Sequence, residues 1–328
     1  MLGEERAGTA ALTVHLAAPA GVVYAVLADA ATMPLYFLPC VHVERLHFDG
    51  EHERARMWAL MDGQLTSWTS WRHLDPVARR IEFSQQRPNS APGAAPASGD
   101  AVSGSLCGVL SVRERGTHTT ELQLRYGART PGAPPPPCWQ SWISHLGSRG
   151  QLAGLKNFAE QWTRLDDLVL SFEDSVRING PAELAYDFLY RAGDWPDLVP
   201  HVTGAHLTED APGVQRLALQ TLTDTGRRST SSVRICFPHA GRIVYKQTAC
   251  WDLLASHTGE WSVVPDATGV TVTSRQSVVL REEHYGSGPG AERALASARR
   301  QVRTVLGQNC LALLALAKQH AETAVRML

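Results

Sequence analysis

No apolar run in this chain approaches the length of a membrane-spanning helix. Charge of neither sign dominates: 31 Lys and Arg stand against 32 Asp and Glu, a net charge of −1. Without a basic surplus there is no footprint for nucleic acid or for an anionic membrane. Cysteines are sparse, six in 328 residues, and sit at 40, 107, 138, 236, 250 and 310 with no Cys-x-x-Cys. That scatter argues against a disulfide framework and a thiolate metal centre. No His and carboxylate cluster has metal spacing, and no Gly-rich strand-to-helix loop offers a phosphate cradle. Residues Met1 to Arg6 carry no signal-peptide core, so a cytoplasmic protein with free thiols is expected.

What the chain does have is a strand pattern around Thr66–Pro76, rich in Thr and Trp and ended by Asp75-Pro76. Alternation puts Trp68, Ser70 and Arg72 on one face. If that face points inward, a permanent cation sits beside an aromatic wall and requires a carboxylate or a ligand oxygen. The pattern recurs as Thr230-Ser-Ser-Val-Arg234, followed again by a proline four residues later. At the same offset of 162, Pro19 matches Pro181, Tyr24 matches Tyr186, Pro34 matches Pro196 and Gln85 matches Gln247. Between Val14 and Gln85, 18 of 72 positions are identical, where roughly 4 or 5 would arise by chance. This is duplication of a whole domain rather than a short solenoid repeat. A chain of 328 residues with 44% hydrophobic content has length and apolar mass for two cores. The expected domains are 8–167 and 168–328.

Each half reads as a strand, two short helices, six antiparallel strands and a long helix. Pro19 and Pro181 open the first helices. Asp49-Gly50 and Asp62-Gly63 are turn signals between strands. Residues 88–104, rich in Pro, Ala, Gly and Ser, read as a loop. Helical spacing predicts long helices over 139–166 and 290–327. The expected class is α+β: two tandem helix-grip domains, each a curved antiparallel sheet around a long C-terminal helix with a cavity between them.

In this order the motifs resemble the didomain aromatase/cyclases of bacterial aromatic polyketide synthesis, of the START/Bet v 1-like helix-grip superfamily. The resemblance rests on Trp58-Ala, Trp68-Thr-Ser-x-Arg72-x-Leu-Asp-Pro76, and Trp195-Pro196 with Pro200-His-Val202. It rests also on Ser232-x-Arg234, Ile243-Val-Tyr-Lys-Gln247, Leu253-Leu254 and His257-x-Gly-x-Trp261, and spans nearly the full length. It implies a cavity for a poly-β-ketone tethered to an acyl carrier protein, made by a polyketide synthase and reduced once by a ketoreductase. It implies aldol closure of the first ring between C7 and C12, dehydration to an aromatic ring, and no cofactor. Departures fall in the first half. Met33-Pro34 stands for Trp-Pro, the loop 88–104 replaces a stretch at the pocket mouth, and Leu110 stands near where an aromatic is usual. An incomplete or wider first pocket is expected.

Such chemistry needs placement of one carbon against one carbonyl, and donors for a developing oxyanion. Arg72 and Arg234 suit the second need, with Ser70 and Ser232 as further donors. His257 is the candidate for proton transfer. Trp68, Trp195 and Trp261 would wall the substrate, Tyr36 and Tyr245 orient its oxygens, and Trp58, Gln85 and Gln247 complete the binding set. Alternatives stand beside these roles. A buried Arg also serves in structural ion pairs, and a strand His is often structural. The fold also serves as a non-enzymatic cup for a hydrophobic ligand, or one half would merely support the other. Trp68 beside its Ser-x-Arg favours the first half for ring closure.

Overall fold

The computed structural model describes residues 10–86, 105–128, 151–223, 226–285 and 290–326, together with Trp139 and Ile143. The loop expected over 88–104 lies outside the described residues. The chain divides into two compact units, 1–163 and 164–328. Among the described residues no helix is long and apolar enough to cross a membrane.

Unit 1 holds strands β1 (Ala10–Leu16), β2 (Cys40–Phe48), β3 (His52–Met61), β4 (Gln64–Asp75), β5 (Arg80–Gln86), β6 (Ser105–Gly116) and β7 (Thr119–Ala128). They form one antiparallel sheet in the order β1-β7-β6-β5-β4-β3-β2. Unit 2 repeats it with β8 (Val169–Ile178), β9 (Val202–Ala211), β10 (Val214–Thr223), β11 (Gly226–Phe237), β12 (Arg242–Ala249), β13 (Leu254–Asp266) and β14 (Gly269–Leu280). Its order, β8-β14-β13-β12-β11-β10-β9, is the same topology. In both, the first strand crosses over two short helices, and the remaining six follow as a meander. The meander follows from tight turns: at Asp62-Gly63 both residues have positive φ, 49° and 78°, which a two-residue hairpin demands.

Helices Ala20–Ala28 and Ala182–Tyr190 each begin after a proline N-cap at Pro19 or Pro181, as the duplication predicts. The 36-residue helix Ala291–Arg326 closes unit 2. Ala298, Val302, Cys310, Leu314, Ala317 and Ala321 recur on its buried face. In unit 1 the described part of the corresponding helix is Gln151–Glu160, burying Leu152, Leu155, Phe158 and Ala159.

Two expectations change. The helix predicted to run to 166 ends at Glu160. Arg164 leaves the helical region at φ −124° and ψ 3°, and a separate short helix, Leu165–Leu168, follows. The break coincides with the boundary between units and delivers a fully buried Leu168 to a core cluster of unit 2. The sequence pattern predicts a strand over Glu260–Val264; β13 starts six residues earlier, at Leu254, and runs to Asp266. Pairing to β14 extends it, although Leu254–Thr258 lacks clean alternation, and this draws His257 into the sheet.

Candidate functional site

Register places Arg72 of β4 opposite Glu53 of β3, and Arg234 of β11 opposite Gln215 of β10. Both guanidinium groups are buried and reach the end of the first helix of their unit. Arg72 Nη2 donates to the Leu27 carbonyl and Nη1 to that of Ala28 at 3.3 Å. Arg234 Nη2 donates to Leu189 O and Nη1 to Tyr190 O at 3.4 Å. A cation there satisfies carbonyls the helix leaves open and meets the negative end of its dipole.

The two arginines differ in charge compensation. Arg72 Nη1 donates to Glu53 Oε2 at 2.6 Å, and Glu53 also accepts from Arg45 at 2.7 Å. Arg234 has no carboxylate in ion-pair range among the described residues. It feels Glu209 through space, but that carboxylate already accepts from Tyr190, Gly213 and Gln215. Burial pushes the Arg234 guanidinium below its usual pKa. Its Cζ lies 5.9 Å from the centre of the Trp195 ring.

Between the unit 2 sheet and its closing helix lies a cavity of about 140 Å³. Ser232, Arg234, Tyr245, Gln247, His257, Trp195 and Trp261 all line it, so seven expected residues meet there. His201, Arg228 and Trp251 also line it, with the Arg228 guanidinium 4.1 Å over the Trp251 ring. Trp195 is pinned by its indole N–H to Phe188 O at 3.1 Å. Among the described residues Ser232 makes only a long bond to Leu217 O, 3.5 Å, leaving its hydroxyl available to a ligand. The Oε1 atom of Gln247 is buried with no partner.

A residue that sequence reasoning missed organises the polar side of this cavity. Gln276 of β14 is buried, and its Oε1 lies 2.6 Å from His257 Nε2 and accepts from the Tyr245 hydroxyl at 2.8 Å. Its amide nitrogen donates to Ser274 at 2.8 Å and to Cys310 Sγ at 3.3 Å. His257 Nδ1 is buried with no partner. Burial lowers the His257 pKa to about 4, so the imidazole is neutral near pH 7. A neutral imidazole lining a cavity can take up a proton, and a cation there can stabilise an oxyanion. Tyr245 lies flat over Gly259, where a Cβ would overlap the phenol ring. Gln276 escaped notice because its meaning comes from cross-strand register, to which no local motif points.

In unit 1, Ser70, Arg72 and Gln85 line a pocket of about 50 Å³ together with Met33 and Leu110. The space the described residues enclose is smaller than in unit 2; the loop 88–104, on which the expectation of an incomplete or wider pocket rests, lies outside the described residues. Leu152 and Leu155 come down from the helix, and Leu27 and Leu124 fill the sides. Trp68 shares their sheet face but turns its edge to Trp139, ring centres 5.9 Å apart, with its indole nitrogen unpartnered. Tyr36 packs on Phe158 at 5.6 Å, its hydroxyl buried without a partner and its pKa raised by burial. Neither residue lines this pocket. Trp58 is a correction: it alternates with the pocket-lining Met57, so it faces the other side of the sheet, beside His42 at 5.3 Å and under Arg56.

Register also shows what unit 1 lacks. Phe83 pairs with Gly108 as Tyr245 pairs with Gly259, and Gly108 pairs with Tyr126 as Gly259 pairs with Gln276. The counterparts of Tyr245, His257 and Gln276 are therefore Phe83, Leu106 and Tyr126, and the polar network has no equivalent.

Comparison with known proteins agrees with this architecture. The family model "Polyketide cyclase / dehydrase and lipid transport" matches residues 169–315. The chain is 33% identical over 317 residues to the granaticin polyketide synthase bifunctional cyclase/dehydratase of Streptomyces violaceoruber, covering 95% of this chain and 94% of the relative. Among solved structures, the di-domain aromatase/cyclase BexL of the BE-7585A pathway is 37% identical with a TM-score of 0.78, covering 96% of this chain and 98% of its own. The di-domain StfQ of the steffimycin pathway is 28% identical with a TM-score of 0.78, covering 96% and 99%. By identity over nearly its whole length, the chain belongs to the family of bifunctional polyketide cyclase/dehydratase enzymes.

Proposed function

We propose that the protein cyclises and dehydrates a poly-β-ketone carried by an acyl carrier protein. The chain would come from a polyketide synthase, be reduced once by a ketoreductase, and be closed between C7 and C12, with the proton chemistry seated in unit 2. The observation that carries the placement is the meeting of an uncompensated cation, Arg234, and a neutral imidazole, His257, in one cavity. Arg234 caps its helix in either reading, but a cup for a purely apolar ligand gains nothing from leaving that charge without a carboxylate.

In this reading His257 takes a proton from a methylene flanked by two carbonyls. The electron pair moves onto the enolate oxygen, which Arg234 and Ser232 face as donors. The enolate carbon attacks the distant carbonyl, one C–C bond forms, and the resulting alkoxide recovers the proton from His257. Loss of a neighbouring proton and of the hydroxyl as water yields the unsaturated ring, with no oxidant required. Trp195 and Trp261 supply flat walls for a flattening substrate. Unit 1, with its compensated Arg72, would hold or support the chain rather than perform the first proton transfer.

The test is reconstitution with the upstream synthase, carrier protein and ketoreductase, followed by product analysis. The expected result is the first-ring aromatic product with wild-type protein and shunt products with His257→Phe. Unchanged product from a folded His257→Phe protein would remove the chemistry from unit 2.

A further inference from the structure

We infer that Gln276 is a positioning residue, which holds His257 in the tautomer protonated at Nε2 and so leaves Nδ1 bare for the substrate. The inference rests on the proposed function for its catalytic meaning, but its geometry stands alone. Gln276 Oε1 is a pure acceptor 2.6 Å from His257 Nε2. The remaining contacts of the amide are all met in this orientation. Its nitrogen is engaged by Ser274 and Cys310, and its oxygen also receives the Tyr245 hydroxyl. In this orientation Nε2 carries the proton, and a neutral imidazole has only one. The remaining nitrogen, Nδ1, is buried and unpartnered in a residue that lines the cavity.

The choice of an amide has a consequence. A carboxylate at position 276 would add charge and favour the imidazolium, whereas glutamine orients the ring without raising its basicity. Facing the same cavity are His201, whose pKa burial lowers, Arg228 and Arg234 from β11, which stay cationic, Tyr245 from β12 and Cys310 from the closing helix, with Cys250 just beyond β12. Burial raises the pKa of the phenol and of both thiols, Cys310 to about 11, so neither the phenol nor the thiols gain charge through the neutral range. The register equivalents in unit 1, Leu106 and Tyr126, cannot form the pair, which confines the device to one unit.

The experiment has two arms. Nitrogen NMR of histidine-labelled protein, assigned with His257→Gln, reads the tautomer directly and needs no turnover. The expected result is a protonated Nε2 and a bare Nδ1 in wild type, and a mixture of tautomers in Gln276→Leu. In the activity arm, Gln276→Leu should lower kcat by about 100-fold with KM nearly unchanged. Gln276→Glu, which keeps the size and an acceptor, should move the acid limb of the rate profile upward by about 1–3 pH units. A wild-type His257 protonated at Nδ1 overturns the inference, as does a Gln276→Glu protein whose acid limb does not move. Wild-type protein that yields no cyclised product defeats the proposed function instead, while the NMR arm still decides the tautomer.

Discussion

Glu53 accepts a hydrogen bond from Arg72 at 2.6 Å, and the position facing Arg234 in the same register is held by Gln215. Duplication kept the arginine and changed its partner. In unit 1 the cation shares the buried carboxylate of Glu53 with the exposed Arg45. In unit 2 the equivalent cation keeps its helix carbonyls and has charge to spare.

Removing the two arginines should therefore have different consequences. Arg72→Ala leaves a buried Glu53 with Arg45 alone and should destabilise unit 1 by about 3 kcal/mol. Arg234→Ala should lower formation of cyclised product by about 10²–10³-fold, the usual effect of losing an oxyanion donor. Thermal melting beside product quantification separates the effects. Equal losses of activity at equal stability would contradict the division.

Gln215→Glu restores to unit 2 the partner that unit 1 has. The new carboxylate should pair with Arg234 and lower kcat by about tenfold or more as the cation is neutralised, while the lost bond to Glu209 and the second carboxylate beside it should lower the melting temperature. Wild-type kcat in this variant would show that the charge of Arg234 is not needed.

Stability should depend on pH through His257. Its folded pKa is about 4, lowered from 6.5 by burial. Between these values the unfolded chain binds a proton that the folded chain does not, so stability rises with pH across that window. The contribution is complete above pH 6.5 and is lost as pH falls towards 4, amounting to about 3 kcal/mol in all. Denaturant unfolding of wild type and His257→Phe at pH 4.5 and 7 should give a smaller pH difference in the variant.

Gly259→Ala should disturb activity more than its single methyl suggests. The added Cβ would overlap the ring of Tyr245, whose hydroxyl bonds Gln276. Displacing that ring should lower kcat by about tenfold, with KM changed less. A crystal structure with Tyr245 still 2.8 Å from Gln276, at full activity, would refute this.

The amino-acid sequence by itself determined the architecture. The constant offset of 162 announced two copies of one domain, and Pro, Asp-Gly and strand alternation fixed helix starts, turns and sheet faces, because these signals act within a few residues. Alternation also put Ser70 beside Arg72, and Ser232 beside Arg234, on cavity-facing strands. The tertiary structure alone decided which arginine is compensated, since Glu53 and Arg72 lie 19 residues apart and meet only through the β3–β4 register. It alone brought Gln276 to His257, again 19 residues away. Electrostatic pairing and desolvation depend on which strands lie side by side and how deeply they are covered. Local pattern carries neither quantity, and folding supplies both.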